Sequence, residues 1–117
     1  MNRPLCRAAL AAALACALLA PAARADEMET GLALATANAC MACHQVDAHR
    51  VGPPLREVAA RYAGAGEDSA TIAYLAATIR QGGRGRWGAI PMPAQPQVDA
   101  EEARRLAEWI LSLDASP

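Results

Sequence analysis

Two cysteines three residues apart, with a histidine directly after the second, form Cys40-Met41-Ala42-Cys43-His44, and nothing else constrains the fold as tightly. Closely spaced thiols serve three chemistries. A dithiol redox pair sits after a strand in a βαβ unit, and no segment here shows strand alternation. Structural zinc wants four ligands, where this chain offers two cysteines, His44 and at most His49. The third chemistry fits: both thiols add to vinyl groups on one edge of a porphyrin, and the adjacent histidine is carried beneath its iron.

The chain around this motif reads as exported. Arg3 and Arg7 precede an apolar run from Ala8 to Ala20, followed by Pro21 and Ala23-Arg24-Ala25, the pattern of a secretory leader. A bilayer span needs about 20 apolar residues, so this run is too short to anchor the chain. Cleavage after Ala25 makes residues 1–25 a signal peptide and 26–117 a single domain. Cys6 and Cys16 leave with the leader, and two remaining cysteines do not make a disulfide framework. The eight arginines left face twelve acidic groups, with no lysine anywhere, for a net charge of −4. No basic stripe exists to bind nucleic acid.

Composition of the mature stretch points to the same cofactor. With no Phe, two Trp and two Tyr, its side chains offer little bulk for a core. A buried porphyrin supplies it.

Four helices are predicted, so the class is all-α. The first spans Glu27 to Ala39 and carries Leu32 and Leu34. The second, Pro54 to Tyr62, opens on proline and places Leu55, Val58, Ala59 and Tyr62 on one face. Ile72, Leu75, Ala76 and Ile79 do the same for the third, Ser69 to Gln81, which stops at Gly82-Gly83. The fourth is capped by Asp99 with Glu102 completing a capping box, and buries Ala103, Leu106, Ile110 and Leu113, with Trp109 on its shoulder. Between the last two lies Gly82 to Val98, a Gly- and Pro-rich loop of a length usually kept for function.

A second axial ligand must reach the opposite face of the iron, so it lies far along the chain. His49 is tethered too close to His44. Met28 starts the first helix, and Met41 sits inside the attachment motif. Met92 lies within the long loop, in Ile90-Pro91-Met92-Pro93, where prolines hold the backbone out of a helix. His44 and Met92 are therefore the expected iron ligands.

Beyond the motif, Val51-Gly52-Pro53, Val58-Ala59-Ala60-Arg61-Tyr62-Ala63-Gly64, Trp87-Gly88-Ala89-Ile90-Pro91-Met92-Pro93 and Leu106-Ala107-Glu108-Trp109-Ile110-Leu111-Ser112 make the chain resemble the bacterial class I c-type cytochromes of the c551/c552 group. The resemblance implies the cytochrome c fold, about four helices around one covalently bound haem c. It implies that the carbonyl of Pro53 accepts a hydrogen bond from His44, that the Trp87 indole bonds a haem propionate, and that Gln95 lies near the Met92 sulfur. Three departures stand out. Thr78 occupies the place of a propionate-pairing arginine, for which Arg80 is a substitute. Ala35 stands where a Phe commonly packs against the last helix, so its contact with Trp109 should be looser. Insertions around residues 66–71 and 95–98 lengthen two loops.

Ligands on both axial sides leave the iron no open site, so the expected work is outer-sphere electron transfer rather than catalysis. The chain is expected to be a monomeric periplasmic carrier of the respiratory chain, docking transiently on redox proteins. Val51, Pro54, Ile90 and Pro91 are candidate rim residues, with Arg50, Arg84 and Arg86 nearby. The rival expectation is a cytochrome c subunit held within a larger oxidoreductase, a dehydrogenase or nitrite reductase.

Overall fold

In a computed structural model of the protein, residues 25–65 and 68–113 are described; the expected leader, residues 1–24, lies outside them. The chain divides at Thr30 into two units. Of the first, residues 25–30 are described and helical, with Thr30 Oγ1 donating to the Asp26 carbonyl at 2.8 Å. The second unit, from Gly31 onward, holds everything below.

Four helical segments build this unit: α1 over 31–37, α2 over Leu55–Arg61, α3 over Ser69–Gln81 and α4 over Ala100–Ser112. No strand forms among the described residues, and the one antiparallel bridge joins Gly83 to Met92. The protein is all-α, as expected from the periodicity.

α4 is the element against which α2 and α3 pack. Its capping box is complete: Asp99 Oδ1 accepts from the Glu102 amide at 2.8 Å, and the Glu102 carboxylate accepts from the Asp99 amide at 3.3 Å. Two orphan amides are thereby satisfied, worth about 1 kcal/mol for such a cap. Ala103, Leu106, Ile110 and Leu113 are buried as expected, and Ala107, Trp109 and Leu111 join them. Asp68 caps α3 through the Thr71 amide and hydroxyl, and these two hydrogen bonds hold its carboxyl below the ordinary range.

One expectation is corrected. Helical backbone stops at residue 37 rather than Ala39, because Ala39 adopts a left-handed conformation (φ 59°) that no α-helix continues through. Gly31, Ala35 and Asn38 are buried, while Leu32 is 39% exposed. α3 begins at Ser69 as its periodicity indicated, and of the insertion placed around 66–71, residues 66–67 lie outside the described residues.

Gly31 sits directly against the Trp109 ring, where a Cβ would come within 2.0 Å of Cγ. Gly31→Ala is therefore expected to force the indole out of its site and destabilise the haem-loaded protein by about 1–3 kcal/mol. Thermal unfolding, followed by circular dichroism against the wild type, measures it.

Candidate functional site

The attachment motif begins where α1 ends. Ala39 reverses the chain, and Cys40–Ala42 form a single 3-10 turn, with the Cys43 and His44 amides both donating to the Cys40 carbonyl at 3.2 and 3.0 Å. The next segment folds back over it. Val51 and Gly52 amides converge on the Cys43 carbonyl at 3.2 and 2.8 Å, and the Leu55 amide reaches the Gln45 carbonyl at 2.9 Å. Arg56 ties this return to α4, donating to Asp47 at 2.6 Å and to the Leu113 carbonyl at 2.7 Å.

The reversal fixes His44. Its Nδ1 lies 2.8 Å from the Pro53 carbonyl. A carbonyl only accepts, so Nδ1 carries the proton and Nε2 keeps a lone pair for a metal. Gly52 lies close against the ring: a Cβ there would stand 2.7 Å from Cε1. Ring plane and tautomer are thus set by two consecutive residues, Gly52 and Pro53.

Met92 approaches from the long loop. Gly83 and Met92 exchange two backbone hydrogen bonds, 3.0 and 2.8 Å, which pin the middle of the loop to its start. Gly82 makes this possible, since its φ of 76° is a left-handed conformation and a Cβ would meet the Met92 carbonyl at 2.5 Å. The Gln95 amide then bonds the Ile79 carbonyl at 3.2 Å, and Val98 is buried.

His44 and Met92 both line a cavity of about 970 Å³, counting the part open to solvent. Leu55, Val58, Leu75, Ile79 and Ile110 supply apolar wall, and Cys43, Pro53, Trp87 and Arg86 also face it. A neighbouring cavity shares Cys43, His44 and Met92 and adds Cys40, Ala35, Gln95 and Trp109. There Trp109 Nε1 is buried without a hydrogen-bond partner, and Ala35 is fully buried.

These residues fit a porphyrin tethered by two thioethers. Cys40 and Cys43 are free thiols on the cavity walls, next to a histidine whose Nε2 is uncommitted. Burial pushes the Cys40 thiol above its ordinary range. Catalytic dithiols need the opposite shift, so a redox pair of the thioredoxin kind is a poor match.

Of two expected neighbours of the site, Arg80 is placed differently and Gln95 lines the cavity with Met92. Arg80 is exposed and faces a groove with Ser69, Ile72 and Arg104, away from the cavity. Two residues beyond Thr78 on α3, about 200° around the helix axis, it is rotated out and does not replace an arginine at Thr78. Arg86 does reach Thr78, with Nη1 donating to the hydroxyl at 2.7 Å. Gln95 faces the same cavity as Met92, but its amide donates to the Pro93 carbonyl at 3.1 Å and its Oε1 accepts from Gln97. Sequence reading also missed Gly52 as the wall behind His44, and took Gly82-Gly83 for a helix stop alone.

Helices around an apolar cavity, with two thiols and a histidine at its wall, define a protein with covalently bound haem. The profile of the family described as Cytochrome c matches residues 28–114. Cytochrome c-552 of Hydrogenobacter thermophilus is 49% identical over 80 residues, covering 68% of this chain and 78% of that relative. Cytochrome c-551 of Pseudomonas denitrificans is 46% identical over 84 residues, 72% of this chain and 98% of the relative. The crystal structure of Nitrosomonas europaea cytochrome c552 matches with a TM-score of 0.66 at 44% identity, over 71% of this chain and 99% of that one. The chain belongs to the cytochrome c family, in its c-551/c-552 group, and carries one covalently attached haem c.

The Gly52 contact yields a direct test. Gly52→Ala is expected to tilt the His44 ring off the Pro53 carbonyl, costing the haem-loaded protein about 1–3 kcal/mol. Denaturant unfolding gives the loss, and loss of the slowly exchanging His44 Nδ1 proton by NMR shows its origin.

Proposed function

We propose that the chain is an exported one-electron carrier whose iron is held by His44 Nε2 and the Met92 sulfur, working in the periplasm between respiratory redox proteins. One observation carries this reading: the paired Gly83–Met92 backbone bonds bring a loop methionine to the same cavity that His44 enters from the attachment turn. When bound, haem c supplies an iron that exchanges one electron between its ferrous and ferric states.

The chain's own residues decide what else that iron does. Two protein ligands leave no coordination position for substrate or dioxygen, and a thioether ligand raises the reduction potential. The Pro53 carbonyl, accepting from Nδ1, raises the basicity of His44 and holds its ring fixed in both oxidation states. A rigid ligand set costs little reorganisation when the electron moves. This supports a carrier rather than an enzyme.

Localisation rests on the leader-like stretch up to Ala25, after which the family match begins at residue 28. Residues 26–117 are then the working domain, acting as a monomer. No helix among the described residues is long and apolar enough to cross a membrane. For docking, Val51 (45% exposed) and Ile90 (64% exposed) are apolar residues at the cavity's edge, with exposed Arg50 and Arg84 beside them. A small apolar rim with a few charges suits brief encounters with a redox partner.

Met92→Ala tests the ligand set. The haem-loaded variant is expected to lose the weak far-red sulfur-to-iron absorption band, to fall in midpoint potential, and to bind carbon monoxide stoichiometrically when reduced. A band that survives the substitution removes Met92 from the iron.

A further inference from the structure

Charge on the cavity wall is concentrated in one place. Its charged lining residues are Arg84 and Arg86, and no aspartate or glutamate lines it. Arg86 is fixed from two sides. Its Nη1 donates to Thr78 Oγ1 on α3 at 2.7 Å, and its guanidinium carbon lies 4.9 Å from the Tyr74 ring centroid. Arg61 stands next to it. Arg61 Nη1 donates to the Arg86 carbonyl at 2.7 Å, while its guanidinium carbon lies 3.3 Å from the Trp87 ring centroid.

Among the described residues two arginines pair with carboxylates, Arg56 with Asp47 and Arg104 with Glu101 and Glu108; Arg61 and Arg86 are among those that do not. Holding two long, rotamer-rich side chains in one geometry costs side-chain entropy, against modest cation–π gains. An anion arriving from the cavity side can use the Arg86 guanidinium N–H groups that Thr78 leaves free.

Haem c carries two carboxylates on an otherwise apolar plane. An apolar cavity with a single cationic wall therefore admits it in one orientation. We propose that Arg86, held by Thr78, is the residue that receives a porphyrin carboxylate, and that Arg61 positions it by clamping Trp87 and the Arg86 carbonyl. The chain resembles a family that places the pairing arginine at the position of Thr78, on a helix. Here the cation has moved to the loop that carries Met92, and Thr78 serves as its bracket. Carboxylate pairing thus ties that loop to α3 in addition to charging the cavity wall. The inference rests on the haem assignment but not on Met92 being the ligand.

A cation beside a carboxylate favours its ionised form, so the carboxylate's pKa is held down and must rise when the cation is removed. The test is the midpoint potential of the haem-loaded protein as a function of pH, for Arg86→Gln, Arg86→Lys, Thr78→Val and, as a control, Arg80→Gln. Arg86→Gln is expected to move the low-pH inflection upward by about one unit, a tenfold gain in proton affinity. Arg86→Lys should restore most of the wild-type profile, Thr78→Val should give a partial shift, and Arg80→Gln none. If Arg86→Gln does not load haem, the order Thr78→Val shifted, Arg86→Lys near wild type still supports the assignment. An inflection that Arg86→Gln and Thr78→Val leave in place, or that Arg80→Gln moves equally, overturns it. A persisting far-red band in these variants shows that failure here leaves the iron ligands untouched.

Discussion

A chain with so little aromatic bulk cannot close its own core, and the rest of the structure follows from that deficit. α2 and α3 pack on α4, yet Leu55, Val58, Leu75, Ile79 and Ile110 from these three helices also line a shared cavity. Their apolar faces gain about 25 cal/mol per Å² only when something apolar covers them. Covalent attachment at Cys40 and Cys43 makes the porphyrin part of the chain, so the cover cannot dissociate. Helix packing and cofactor retention become one problem with one solution.

Three polar contacts around that apolar centre have assigned partners. Pro53 fixes the proton on His44 Nδ1, Gly83 fixes the loop around Met92, and Thr78 fixes Arg86. In a low-dielectric site such contacts set ligand orientation and charge more strongly than they would in water. They come from segments distant in sequence, so the electron-transfer centre exists only once the attachment turn, α3 and the long loop are all in place. The Trp109 indole is the exception, buried with Nε1 unpaired beside the small Ala35.

Features that depend on local chemistry could be read directly from the sequence. The Asp99–Glu102 capping box, the limits of α3 and the buried stripe of α4 each follow from residues within a few positions of one another. The five-residue attachment motif is local in the same sense. What escaped was non-local or conformational. Ala39 takes a left-handed backbone that nothing in its side chain announces, and this shortened the first helix. Gly52 looks like an ordinary loop glycine until His44 is folded against it. Arg80 and Arg86 flank Thr78 on the helix and on the loop, and only the course of the chain through Gly82 and Gly83 decides which one turns toward the cavity.

The central claim is that the porphyrin completes the core, and the chain without its thioethers tests it. With Cys40 and Cys43 both replaced by alanine and haem excluded, amide hydrogen exchange should find α3 and α4 unprotected and unfolding without a cooperative transition. Exchange protection of α3 and α4 matching that of the haem-loaded protein, with a sharp thermal transition, would contradict the account.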